Sequence, residues 1–523
     1  MLILRSPIGC KLFLLLGALL GQLSITAQEN YQFLNILNVR LTERANLSPD
    51  SIRHFGMRPF EISRFSKPND LSFIDSASYY YLAEYKLKKD HLISIEEGDL
   101  KLYIDPLMYF AYTGDERDTS VYSDTTRLTR NTRGIMVQGS ITPKLRFFSS
   151  FLENQTFFPF YLKTHIDSVG VIPGSGRPKA AGSGFDYGIA SSWLSWKPLQ
   201  WLDITLGNGK NFIGHGYRSI LISDGAFNYP YLRFNAWHPN KKLLFSWNHT
   251  GLQTLERMPR GEVPESLFKR KAMSYHYLSY CPASWLEIGL FDAAIWQRWD
   301  STGTQALPLL AFSPLPLINA GILGMDDIQN VSVGANLRLK LNQHLHVYGQ
   351  VLADDPDNNS TAWQAGIKLF KVGLKGLDIQ LETNRIGDGV YMSPHALQDY
   401  IHFNQPLGHP SGPGTTEYMG EVNFRHQRIF ACIRYNNIEH RLAPVNNFLF
   451  TRPEFTEENT TTTRTRHVNQ ADFRIAYLFN KNSNLKIEAA YILRSDDIAD
   501  YRINTAWWSI SLQTSIYNEY FDF

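Results

Sequence analysis

The chain has 523 residues, a formal net charge of +2, 13% aromatic residues and a mean hydropathy of -0.26. Near-neutrality gives a nucleic-acid partner no electrostatic footing, and the hydropathy argues against a helical membrane protein, which needs long unbroken apolar runs. A chain of this length makes several soluble domains or one very large barrel.

One apolar run stands at the start. Arg5 and Lys11 precede Leu12 to Leu20, and Ser24-Ile-Thr-Ala27 follows with small residues. This is the pattern of a secretory signal peptide over residues 1–27. Cys10 lies before the run, away from any lipoprotein cleavage point, and Cys281 and Cys432 are the cysteines left to the mature chain. Export permits a disulfide, but two distant cysteines do not establish one. Residues 28–97 read as a small helical segment. Phe33, Leu34, Leu37 and Leu41 recur at helical spacing, Ser48-Pro49-Asp50 marks a start before Ile52 and Phe55, and Ser76 to Leu87 is amphipathic.

From residue 98 the period changes to two. Val331, Val333, Ala335, Leu337 and Leu339 fall on one face, with Ser332, Asn336, Arg338 and Lys340 on the other. Leu377, Ile379 and Leu381 alternate with Asp378, Gln380 and Glu382, and Tyr418 to Arg425 repeats the pattern. The connections alternate in length. Tight turns fall near 142–144, 197–200, 239–241, 281–284, 342–344, 371–376, 426–428 and 481–484. Polar links separate them, mostly long, such as 154–186, 210–229, 300–330 and 386–416. Short turns at one end and longer loops at the other, between strands of about ten residues, predict an all-β transmembrane outer-membrane barrel of about 18 antiparallel strands over residues 98–523. Trp196, Trp201, Trp285, Trp296 and Trp299 lie at strand ends, as interfacial girdles do. The terminal Tyr520-Phe-Asp-Phe523 suits a closing strand. A barrel this wide leaves a lumen, and its inward set (Arg338, Lys340, Asp378, Glu382, Glu421, Arg425) suits water or a polar plug. The helical segment 28–97 is one candidate plug or periplasmic cap; a loop folded inward is the other.

No catalytic residue, metal site or cofactor is predicted. Gly207-Asn-Gly-Lys-Asn lacks the Ser or Thr after the lysine that a phosphate loop needs. His215, Ser223 and Asp224 are close sequence neighbours on an extended stretch, a poor basis for a triad. His395, His402 and His409 lack metal-ligand spacing, and Asp354 to Ser360 lacks the glycine and closing glutamate of a calcium loop.

Two stretches carry a family resemblance. Gly214-His-Gly-Tyr-Arg-Ser-Ile-Leu-Ile-Ser-Asp224 with Asn228-Tyr-Pro-Tyr231, and Tyr400-Ile-His-Phe-Asn-Gln-Pro-Leu-Gly-His-Pro-Ser-Gly412, together resemble the gliding-motility RemB family, which is similar to the capsule-assembly Wzi family. Ile386 to Tyr391 departs from the Arg-Pro-aromatic run expected there. The resemblance implies a non-enzymatic barrel in the outer membrane of a Gram-negative cell. Its role would be in attaching capsular polysaccharide or in gliding motility and adhesion; a porin-like channel for polar solutes is the alternative. Expected partners are outer-membrane lipid, surface polysaccharide and other cell-envelope or motility proteins. Candidate binding residues are Tyr217, Arg218, Asp224, Tyr229, His402, Gln405 and His409, which suit sugars or lock two loops together; Gly207, Gly209, Gly214, Gly216 and Gly408 are structural.

Overall fold

The computed structural model describes residues 34–47, 52–61, 64–65, 80–258, 268–300, 302–323, 330–355, 360–393, 395–442, 464–498 and 501–523. The segment read as a signal peptide lies outside the described residues.

Eighteen antiparallel strands close into one barrel. In chain order they are β1 (Leu100–Asp115), β2 (Thr129–Thr142), β3 (Leu145–Thr156), β4 (Gly184–Leu199), β5 (Leu202–Gly209), β6 (Tyr229–Trp237), β7 (Leu243–Arg257), β8 (Phe268–Ala283), β9 (Leu286–Gln297), β10 (Val331–Lys340), β11 (Leu345–Asp355), β12 (Ser360–Phe370), β13 (Leu377–Ile386), β14 (Thr415–His426), β15 (Ile429–Leu442), β16 (Arg464–Asn480), β17 (Leu485–Ile498) and β18 (Tyr501–Thr514). The seam pairs Trp507–Gln513 of β18 with Tyr109–Asp115 of β1. All the tight turns expected from the sequence lie at one end of the barrel, and the long connections lie at the other.

Alternation decides which side chains enter the lumen. On β13, Gln380, Glu382 and Asn384 are buried while Leu381 is exposed; on β14, Glu417, Met419 and Glu421 are buried while Tyr418 and Val422 are exposed. Leu206, Ile433, Ile475 and Ile510 belong to the same outward apolar belt. A belt of exposed large apolar side chains around a polar interior is stable only against lipid. No described helix is long and apolar enough to cross a membrane. Cys281 and Cys432, on β8 and β15, are unpaired.

The lumen is filled by three parts of the chain. From the short-turn end enters the helix α1 (Ile36–Ala45), capped by the Asn35 side chain, which accepts from Leu37 N. Its charged face pairs with the wall: Arg44 with Asp378 at 2.5 Å, Glu43 with Lys368 at 2.7 Å, and Arg40 with Glu421. Residues 52–61, expected to be helical from Ile52 and Phe55, instead cross the lumen as an extended strap. Glu287 of β9 accepts from Phe55 N at 3.0 Å and Gly56 N at 2.9 Å, and Met57–Arg58 pairs with Phe212–Ile213. Those backbone groups find sheet-type partners across the lumen, and that outweighs a weak helical pattern. The next described helix, α2 (Leu82–Lys88), has no buried residue, and Ile93–Glu97 already pairs with the start of β1.

The second filler is the β5–β6 connection, residues 210–228, nearly all of it buried. The third is residues 515–523. The expectation that Tyr520 to Phe523 ends the closing strand is corrected: β18 stops at Thr514 and the following residues run up inside the barrel. Tyr520 Oη donates to Asp224 at 2.7 Å, and Asp522 accepts from Tyr217 Oη at 2.7 Å. The charged and hydroxyl groups of this segment find partners in the polar lumen that a lipid-facing strand lacks. Between α1 and this segment a cavity of about 180 Å3 remains, lined by Arg40, Tyr109, Arg434, Arg474 and Glu488 among others.

Two further expectations change. Trp196, Trp201 and Trp285 are exposed near the short turns, but Trp296 is buried and donates to Ser274 Oγ. The connection 300–330 is not polar through its middle: residues 306–323 contain no charged side chain.

Candidate functional site

The two stretches singled out in the sequence meet inside the barrel. Ile220, Leu221 and Ile222 sit at the centre of the largest apolar cluster, packed with Met273, Tyr275, Phe291 and Leu352 from the wall. The connection 387–414 closes over them. Tyr391 Oη donates to Ile220 O at 2.8 Å, Tyr400 Oη to Leu221 O at 2.8 Å, and Ser223 N to Leu407 O at 2.7 Å. Gly408 lies where a Cβ would strike the Tyr391 hydroxyl, and its carbonyl accepts from Ser223 Oγ.

Beneath this apolar cap the plug is held by a charged network. Arg218 Nε and Nη2 form a two-pronged pair with Glu417 of β14, at 3.2 and 2.9 Å. Arg218 Nη2 also donates to Asp522 O at 2.8 Å. The remaining acceptor capacity of Glu417 is taken by His409 Nε2 at 2.8 Å, Asn384 Nδ2 at 3.0 Å and Asn436 Nδ2 at 2.9 Å. Arg218 and Glu417 are fully buried at the side chain. The neighbouring Glu382 accepts from the backbone N–H of Tyr217 at 2.8 Å and of Arg218 at 3.0 Å, and from Tyr348 Oη at 2.7 Å. Gly216 is required there, because a Cβ would run into the Glu382 carboxylate and the Arg218 carbonyl. Gly214 adopts a φ of 144°, open to glycine, with its N–H bonded to Gly56 O. A Cβ added at Gly207 would come within 2.7 Å of the Tyr231 ring, whereas Gly209 has room for a side chain.

The other candidates tie the plug to the long-loop end. Asp224 accepts from Asn518 and Tyr520, and Lys210 Nζ donates to Gly174 O and Asp224 O. Gln405 bridges Gly174 N and Ser175 O. Asn211 donates to the buried Tyr229 hydroxyl at 3.4 Å. His402 Nδ1 accepts from Gln253 N at 3.2 Å while Nε2 lies 3.1 Å from Asn228 O, the pattern of a neutral imidazole. Tyr217, Arg218, Asp224, Tyr229, His402, Gln405 and His409 are all buried. Their contacts latch residues 210–228 and the connection 387–414 to each other and to the wall.

Burial pushes two plug histidines down. His402 falls from its ordinary 6.5 to about 3, mainly by desolvation with the Lys271 charge adding to it, and His215 falls well below 6.5 by desolvation next to Arg338 and Lys368. Both are lowered in the folded protein, so the unfolded chain binds more protons below pH 6.5. Their contribution is complete above pH 6.5 and is lost as pH falls toward 3, on the order of 5 kcal/mol at most for His402. Thermal unfolding in detergent at pH 7.5 and 4.5 is therefore expected to show a lower Tm in acid. His402→Gln, which keeps both hydrogen bonds but does not titrate, is expected to shrink that difference.

His215, Ser223 and Asp224 do not converge: His215 lies 3.8 Å from Glu287, Ser223 donates to Gly408 O, and Asp224 faces Tyr520. His395 is exposed, and His402 and His409 have separate partners. Among the described residues His54, Cys281 and Glu287 offer three donor atoms within metal-binding distance. The Glu287 carboxylate is already engaged by Phe55 N, Gly56 N, Ser279 and Arg338, which leaves it no capacity for a cation. Sequence reading missed Glu417, although the alternation that places Glu421 inward also places Glu417 inward two steps earlier.

The architecture is that of an outer-membrane-type β-barrel with an occupied lumen. No protein-family model matches the chain, and no curated protein does. Among solved structures it is similar to Wzi of Escherichia coli, an outer-membrane protein involved in group 1 capsule assembly and described as a carbohydrate-binding β-barrel. The two share 11% identity and a TM-score of 0.54 over 93% of this chain and 100% of that one. OprD of Pseudomonas aeruginosa shares 11% identity and a TM-score of 0.44 over 81% of this chain and 98% of its own. A BenF-like porin from Pseudomonas fluorescens shares 10% and 0.44 over 78% and 97%.

Proposed function

We propose that the protein is a non-enzymatic, plugged barrel of the outer membrane that holds surface polysaccharide. The observation that carries this reading is the occupied lumen. Helix α1, the strap 52–61, residues 210–228 and residues 515–523 fill it, and ion pairs fix each to the wall: Glu43 to Lys368, Glu61 to Arg146, Arg218 to Glu417 and Asp522 to Arg434. A porin needs a continuous aqueous path, and the latch between 210–228 and 387–414 lies across that path. The likeness to Wzi, whose description includes carbohydrate binding, supports the substrate class.

With the latch residues buried, polymer contact falls to the rim above them. Half-buried Phe268 and Trp299 are overlaid there by cations, Arg257 5.1 Å above Phe268 and Lys269 4.4 Å above Trp299. Flat aromatic faces beside hydrogen-bond donors suit a glycan, an acidic one in particular. Trp299→Ala is expected to lower binding of the cell's own capsular polysaccharide to the purified barrel several-fold, with heat-modifiable gel migration unchanged. Deleting the gene and scoring capsule retention and colony spreading separately tests the whole reading. Loss of capsule from the cell surface supports it. Loss of spreading alone moves the role to RemB-type motility, and no change in either overturns both.

A further inference from the structure

The outer wall of β8 and β9 is built differently from the rest of the belt. Its outward rows, from the long-loop end down, are Ala272 opposite Trp296, Ser274 opposite Ala294, His276 opposite Asp292, Leu278 opposite Leu290, and Tyr280 opposite Ile288. The lower two rows carry large, mostly exposed apolar side chains, as lipid-facing positions do. The upper three are small or polar apart from Trp296, whose indole N–H donates to Ser274, and all are buried. What buries them is the β9–β10 connection, which folds back over the outside of the barrel: Leu307, Leu310, Ala311, Ala320 and Leu323 pack on Ala272, Ala294, Trp296 and Val331.

The central row is a histidine–carboxylate pair at mid-strand, where a lipid-facing charge is least tolerated. His276 Nδ1 lies 3.1 Å from Asp292 Oδ2, and its Nε2 2.9 Å from Ser313 O. Asp292 Oδ1 accepts from Leu317 N at 3.0 Å, and Oδ2 from Asn319 Nδ2 at 3.4 Å. Leu317 takes a left-handed φ of 61°, rare for a leucine, and in it its N–H meets the carboxylate. The connection thus supplies the polar partners that the pair would otherwise lack in a bilayer.

Its own backbone suits the same medium. Pro308, Pro314 and Pro316 have no N–H to satisfy, and residues 309–312 and 318–323 form helical turns that bond internally. Ser301 to Met325 contains no charged residue. The side turned away from the barrel is apolar and uncovered: Leu309 is 91% exposed, Leu315 57% and Ile322 62%. That face continues the belt formed below it by Leu290 and Ile288.

We propose that residues 307–323 form a membrane-embedded flap, lying on the outer wall within the hydrocarbon layer, anchored by His276 and Asp292 and solvated on its outer face by lipid acyl chains. The flap widens the lipid contact of the barrel at β8–β9 and thickens that sector of the wall.

Nitroxide labels placed singly by Leu309→Cys, Leu315→Cys and Ile322→Cys, in a Cys432→Ser chain whose Cys281 is buried, test this after reconstitution into phospholipid bilayers. Oxygen, which partitions into acyl chains, is expected to collide with all three labels several-fold more often than a water-soluble nickel chelate does. Ala181→Cys, exposed at the long-loop end, is expected to show the reverse. Nickel access equal to that at Ala181 would place the flap in water, and exclusion of both probes with an immobilised label would show a protein partner or second copy covering it; either overturns the proposal. Adding Asp292→Asn is expected to raise nickel access at Ile322 several-fold, and an unchanged ratio would refute the anchoring role.

Discussion

Arg218→Ala is expected to release the plug without opening the barrel wall. Arg218 is held by Glu417 and Asp522, and burial beside two carboxylates raises its guanidinium well above the ordinary range, the opposing desolvation included. Removing it leaves the Glu417 carboxylate buried without its guanidinium, with the His409, Asn384 and Asn436 donors left to answer it, and breaking a buried pair in this way costs about 3–5 kcal/mol. The strand ladder is untouched, so heat-modifiable migration should persist. Proteolysis between residues 210 and 228, and brief conductance openings, should appear, with neither expected from the parent protein. The double variant Arg218→Met with Glu417→Leu removes both charges and is expected to recover much of the loss.

The second large effect is expected at the other end of the lumen. Glu287 is the acceptor for Phe55 N, Gly56 N and Ser279 Oγ, and it pairs with Arg338 at 3.0 Å. Glu287→Ala leaves Arg338 and two buried backbone donors without it, again about 3–5 kcal/mol. Hydrogen exchange over residues 52–61 should accelerate by two or more orders of magnitude, since 1.4 kcal/mol is a factor of about ten, while exchange in β13 to β15 stays slow. Glu287→Gln keeps an acceptor oxygen and should fall between.

These networks mark how far the sequence could be read. Alternation between Val331 and Leu341 assigned each side chain to the wall or the lumen, and the structure keeps that assignment, with Arg338 and Lys340 buried and Leu337 exposed. Turn positions were legible for the same local reason. What local pattern could not show is which long connection turns inward. Residues 210–228 carry a lysine, a histidine, an arginine and an aspartate, a composition typical of a solvated loop. They are buried because Glu382, Glu417 and Asp522, each remote in sequence, answer them. Tyr217 and Arg218 were legible as important, but their latch role rests on those remote partners. The strap at 52–61 and residues 515–523 were misassigned for the same cause, because their partners lie on distant strands. The flap is different. Its uncharged run was visible in the sequence, but its long-loop position between polar flanks (Asp300, Asp326, Asp327) hid it.

Single-channel recording of the unmodified protein in a planar bilayer shows whether the lumen is closed. The filled barrel predicts a flat baseline at neutral pH under applied voltage, with steps appearing only after the plug is released, as in Arg218→Ala. Stable, porin-sized conductance steps from the unmodified protein would contradict it.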